Sequence, residues 1–161
     1  MESSKSFKKI AINEKVIKVH FYNHIIEGEE VKNIKYPIES DVKPHIDFVK
    51  AFQALKRFAI GYMELSPFKN GVDDTILERH VVTALNITED TDTVKIQISM
   101  NKYLSNNKCY SVTSPLIDLE NEDFSELSEL NQAYDIIIEE AKLYLKGKNG
   151  EEQMEIIFEA A

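Results

Sequence analysis

The chain carries one cysteine, Cys109, in 161 residues. An internal disulfide is therefore excluded, and so are zinc sites built on several thiolates. In the run NKCYSVTS that cysteine reads as a small buried strand side chain, not as a nucleophile. Glycine is scarce as well: five residues, none in a G-x-G arrangement, so no phosphate-cradling loop is encoded. Neither G-x-S-x-G nor H-E-x-x-H occurs, which makes a non-enzymatic role the expectation, with no metal and no cofactor. No apolar run approaches the roughly 20 residues of a membrane helix. The opening MESSKSFKKIAINEK lacks the apolar middle of a secretory leader, so a cytoplasmic protein without membrane contact is expected.

An excess of positive charge is missing too. The net charge of −9 disfavours a protein that neutralises phosphates over its whole surface. The distribution is uneven, however. Lys5, Lys8, Lys9, Lys15, Lys18, Lys32, Lys35, Lys43 and Lys50 crowd the first half, whereas acids crowd Glu120 to Glu140 and the tail. A local basic face on the first half is compatible with that pattern. The length, with 43% hydrophobic and 29% charged residues, suits one globular domain with a substantial core.

Periodicity gives the organisation. Ile17, Val19, Phe21 and Ile25 alternate with Lys18, His20, Tyr22 and His24, as in a half-buried strand. Phe7 to Ile12 suggests a strand before it and Val31 to Ile38 one after it, joined by Glu27-Gly28-Glu29. A helix starting near Ser40-Asp41 or Pro44 follows, with Phe48, Phe52, Leu55, Ala59 and Tyr62 as its stripe. Ser66-Pro67 ends it. Leu77 to Thr88 reads as a strand with Val81, Thr83, Leu85 and Ile87 on one face. Val94 to Met100 and Cys109 to Ser114 read as two more. A second helix runs from about Ser125 to Lys146 and ends at Gly147. The expected class is α+β: a βββα-βββα arrangement of antiparallel sheets with two amphipathic helices on one face. Residues 1–150 form a single domain, and residues 151–161 a tail.

Chemistry-bearing residues are few. Lys18, His20, Tyr22 and His24 share one strand face about 7 Å apart in sequence order, so His20 and His24, roughly 13 Å apart, cannot chelate one ion. Together they form a strip of donors around an aromatic face, suited to nucleic acid, a nucleotide or a protein partner; Tyr110 is a further stacking candidate. Glu78 and His80 share a strand face, the pairing an acid–base hydrolase would use. His45 reads as a surface residue, and Asp47 complements the dipole of its helix. In the tail, Met154, Ile156 and Phe158 alternate, as in a strand added to a sheet edge.

Gln153-Met154-Glu155-Ile156-Ile157-Phe158 is also similar to the glutamine-led peptides with which bacterial and phage proteins dock on the DNA sliding clamp, with isoleucines where those peptides favour leucine. KPHIDFVKAFQALKRF, the strand pair ending YSVTSPLIDLEN, and EEAKLYLKGKNGEEQMEIIF resemble a group of small phage and prophage proteins, over about residues 30 to 158. Asn149-Gly150 and the acids of the tail depart from that pattern. The resemblance implies a binding protein, expected to be a homo-oligomer, that works among replication and recombination functions in a bacterial host cell. Its docking residues would be Gln153, Met154, Ile156, Ile157 and Phe158. A second reading is a sponge for a cyclic-nucleotide defence signal, held by Lys18, His20, Tyr22 and His24.

Overall fold

The computed structural model describes residues 2–13, 16–65, 74–89 and 93–150. Three long strands, β1 (Glu2–Ile12), β2 (Ile17–Glu27) and β3 (Glu30–Ser40), form an antiparallel meander. Three helices follow: α1 (Ile46–Gln53), α2 (Leu55–Tyr62) and the short α3 (Asp74–Glu78). A second meander comprises β4 (His80–Glu89), β5 (Val94–Tyr103) and β6 (Cys109–Thr113). Then β7 (Ile117–Asp118) returns to β5, and α4 (Leu127–Leu145) follows. The two meanders are one seven-stranded antiparallel sheet, ordered β3-β2-β1-β4-β5-β6, with β7 also on β5. The fold is α+β, as the periodicity indicates.

The finer arrangement differs from βββα-βββα in ways with local causes. The first helix is two segments meeting at Ala54, which keeps right-handed helical angles, so the apolar stripe passes through the junction. Leu77 and Glu78 belong to α3 and not to a strand. The Arg79 amide bonds the Ile76 carbonyl, and the ring of His80 bonds the same oxygen, which closes a helical turn where alternation suggested extended chain. On β4, Val82 pairs with Met100 and Ala84 with Ser99, leaving Thr83 as a bulge. That one extra residue switches the alternation. His80 and Val82 are buried before it, and Leu85 and Ile87 after it, so Val81 and Thr83 do not share the core face with Leu85.

The bulge lies at the seam between the meanders. β1 meets β4 in only three residue pairs, Lys9–Asn86, Ile10–Leu85 and Ala11–Ala84. Beyond Ala84, β1 no longer supplies partners for β4. Gln53, at the end of α1, takes over: its amide donates to the Val82 carbonyl and accepts from the Val82 N–H, both at 2.9 Å. A helix side chain thus stands in for one residue of a strand. β1 carries a matching bulge at Lys8, between Phe7 and Lys9. Both bulges fall two residues before a member of the Ile10–Leu85 pair, as an approximate two-fold through that pair would require.

One sheet face is buried. Val19, Ile10, Leu85, Ile96, Ile98 and Met100 are inaccessible and pack with Phe52 and Leu55 of the α1–α2 segment and with Leu130 and Ile137 of α4. Each such aliphatic side chain contributes about 1.5–3 kcal/mol on burial. The alternate residues of the strands form the opposite face, which these helices leave uncovered. None of the described helices is long and apolar enough to cross a membrane.

α4 ends where expected. Gly147 takes φ 108°, which a side-chain-bearing residue resists. The Lys148 amide bonds the Leu143 carbonyl and the Gly147 amide the Tyr144 carbonyl, the paired bonds of a Schellman motif. Lys148 then fastens this end to the start of α1: its Nζ lies 3.0 Å from Asp47 and 3.2 Å from Glu140. His45, half-buried, is the N-cap of α1: its Nδ1 accepts from the Asp47 amide.

Two outcomes test these contacts. Gln53→Ala strands both polar groups of Val82 and should lower stability by about 1–3 kcal/mol in urea unfolding. The hydrogen bond and charge of Lys148 hold the Asp47 carboxyl below its ordinary 3.8, while the bond to Asp47 and the charge of Glu140 raise Lys148 above 10.5. The Asp47 contribution is therefore present above 3.8 and lost as pH falls through its depressed value. The Lys148 contribution is present below 10.5 and lost as pH rises through its raised value. The melting-temperature difference between the native chain and Lys148→Met should be a plateau between these limits and shrink at both ends.

Candidate nucleic-acid interface

β2 supplies the centre of the uncovered face. Ile17, Val19 and Phe21 point into the core, so strand alternation sends Lys18, His20, Tyr22 and His24 outward together. The structure thus brings the four onto one face, each half-buried among its neighbours. Cross-strand pairing adds residues that the sequence alone does not assemble. Lys9 pairs with His20, Lys35 with Tyr22, Asn33 with His24 and Glu39 with Lys18. Paired residues of an antiparallel sheet share a face.

The contacts within the strip are specific. Lys8, on the β1 bulge, places its Nζ 5.7 Å from the centroid of the Tyr22 ring, a cation–π distance. The bulge is what brings a second lysine next to Lys9 at this position. His24 Nδ1 lies 2.5 Å from Asn33 Oδ1. That oxygen only accepts, so Nδ1 is the donor of this bond. Lys18 pairs with Glu39 at 3.6 Å across an exposed edge, which contributes little to stability.

Across β4, β5 and β6 the same face continues as a polar row, with Lys95 and Asp118 paired at its end. Ser99 meets Thr113 at 3.2 Å, and Ser111 donates to Asn101 at 3.3 Å. Apart from Glu39, the longest acidic run lies outside β1, β2 and β3. Asp118, Glu120, Glu122, Asp123, Glu126 and Glu129 follow one another without a lysine or arginine. Glu122 accepts from Tyr62 of α2, and Glu126 faces Arg57, which puts these two against the helical layer, whereas Asp118 pairs with Lys95 on the sheet. The bond to Glu122 raises the Tyr62 hydroxyl above its ordinary value. A chain of net charge −9 therefore still presents lysines and histidines on one end of its open sheet face.

Other candidates are not assembled. Tyr110 is exposed on β6, at the opposite edge of the sheet, and pairs with Lys102 on the side carrying Met100; it does not join Tyr22. Glu78 is exposed on α3, whereas His80 is buried at the start of β4. His80 Nδ1 lies 2.7 Å from the Ile76 carbonyl, so it carries the proton, and Nε2 is buried without a partner among the described residues. No acid–base pair forms between them. Among the described residues no three His, Cys, Asp or Glu side chains gather as a metal would require. Tyr134 is pushed up to about 12, first by burial and then by the charges of Glu89 and Asp135, and so stays protonated.

Gln153, Met154, Ile156, Ile157 and Phe158 lie outside the described residues. Cys109 is exposed at the start of β6 and not buried as its strand context suggested, because β6 is the edge strand and pairing with Tyr103 leaves this end uncovered. Native protein should accordingly react with a maleimide or a chromogenic disulfide at one thiol per chain, without a denaturant-dependent lag. A scan of protein-family models, a search of curated proteins and a search of solved structures each return no match to this chain.

Proposed function

We propose that the chain is a non-enzymatic binding module that lays a single-stranded nucleic acid across the outer face of β1, β2 and β3, as an accessory in DNA replication or recombination. The observation carrying this reading is the joint placement of Tyr22, His20, His24, Lys8, Lys9, Lys18 and Lys35 on one sheet face that the described helices leave uncovered, with Glu39 the acid paired into it. The face offers an aromatic ring among lysines, which suits a base stacked on Tyr22 and phosphates met by lysines. The helices pack on the other side of the sheet, so none projects from this face to enter a major groove, and a single strand fits better than a duplex. The resemblance to phage proteins among replication and recombination functions supplies the setting.

Fluorescence anisotropy with a labelled single-stranded oligonucleotide tests the reading. Tyr22→Ala should weaken binding by about 1–3 kcal/mol per stacked base. Lys9→Gln and Lys35→Gln should each reduce the slope of log K against log salt by about 0.7. Duplex of the same length should bind more weakly. No binding of any oligonucleotide at low salt would refute the proposal. A mononucleotide binding as tightly as the oligonucleotide, and equally sensitive to Tyr22→Ala, would instead favour the small-ligand sponge.

A further inference from the structure

We infer that the outer-face site continues across the seam, where Asn86 of β4 and Gln97 of β5 read the edge of a second base and select adenine over thymine. The inference rests on the nucleic-acid reading of this face and adds a base preference to it.

Strand register places the two side chains. His20 of β2 pairs with Lys9 of β1, Lys9 with Asn86, and Asn86 with Gln97. Directly opposed residues share a face, so these side chains form one row across neighbouring strands. Their flanks fix that row to the outer side. Val19 and Phe21 are buried on either side of His20, Leu85 and Ile87 on either side of Asn86, and Ile96 and Ile98 on either side of Gln97. With strands about 4.8 Å apart, the row runs about 14 Å from His20 to Gln97. The next row on the same face is Lys18, Ala11, Ala84 and Ser99. It carries only methyl groups at the seam, so no bulky side chain stands beside Lys9 and Asn86 there.

Residue type decides what the row contacts. A lysine meets a phosphate and has no acceptor, so it holds a strand of any sequence. A carboxamide is uncharged and sets donor beside acceptor, the pattern that matches N6 and N7 of adenine. Two of them directly opposed, about 5 Å apart, address one base. Elsewhere on the face the polar groups engage each other: Ser99 meets Thr113, and Ser111 donates to Asn101. Asn86 and Gln97 have no such side-chain partner among the described residues. Tyr22 is one row along from His20 and two strands from Asn86, roughly 12 Å away. The base at the amides is therefore not the one stacked on Tyr22, and Lys9 stands between the two.

Anisotropy titrations of the full chain with labelled oligo(dA) and oligo(dT) of equal length test the inference. Asn86→Thr with Gln97→Thr keeps residues suited to a strand and removes both carboxamides. The ratio of oligo(dA) to oligo(dT) affinity should fall about tenfold in that variant, the size of one lost bidentate contact, with the salt slope unchanged. Lys35→Gln should do the reverse, lowering the slope and leaving the ratio alone. Asn86→Ala with Gln97→Ala should reproduce the fall in ratio, and urea unfolding reports that both variants are folded. A native ratio in both variants would overturn the inference, while continued weakening by Tyr22→Ala would leave the stacking reading standing. Equal losses for the two oligonucleotides would also overturn it, since the amides would then meet the backbone. Absence of binding by either oligonucleotide at low salt would overturn both readings together.

Discussion

The structure depends on a seam of three residue pairs between β1 and β4. Each meander has its own turns and its own ladder, but neither alone covers the apolar residues of α1, α2 and α4. Joining them through Lys9–Asn86, Ile10–Leu85 and Ala11–Ala84 makes one sheet wide enough to bury both sets of helical side chains. The Ile10 and Leu85 side chains are inaccessible at its centre. Where the seam stops, the amide of Gln53 pairs both backbone groups of Val82, so a break in the ladder does not become a pair of unsatisfied buried groups.

The same seam creates the open face. With all the long helices on one side, the other side of a seven-stranded sheet has no cover within the described residues. Its composition then becomes a functional matter. The half built by β4, β5 and β6 carries hydroxyls and amides with one opposed pair, Lys95 and Asp118, whereas the half built by β1, β2 and β3 collects lysines and histidines around Tyr22. The Lys8 bulge contributes to both roles: it marks the departure of β1 from strict pairing with β2, and it places a cation near the Tyr22 ring. Part of the acidic run is held at the helical layer, Glu122 by Tyr62 and Glu126 by Arg57.

Much of this was legible in the chain itself. The alternation around Lys18, His20, Tyr22 and His24 placed all four on one strand face because an extended backbone leaves no other choice. The stripe from Phe48 to Tyr62 and the stop at Gly147 were equally plain. The start of β4 was not, because Leu77 and Glu78 were drawn into α3 by the bonds of Arg79 and His80 to the Ile76 carbonyl. The face of Val81 and Thr83 was misread for a related reason: a bulge inverts the alternation, and nothing in the residue types at Thr83 announces it. Cys109 looked buried because a strand context says nothing about whether that strand is an edge.

The sequence by itself determined the α+β class, most of the strands and helices, and the donor strip on β2, because these follow from periods of two and 3.6 that local geometry enforces. Tertiary structure alone decided that two meanders form one sheet, that Lys8, Lys9, Lys35 and Asn33 join the strip, and that Tyr110 and Glu78 do not join their expected partners. Strand order and register are contacts between residues distant in the chain. They are set by which pairing buries the most apolar surface while satisfying the backbone, a condition no local stretch of residues can express.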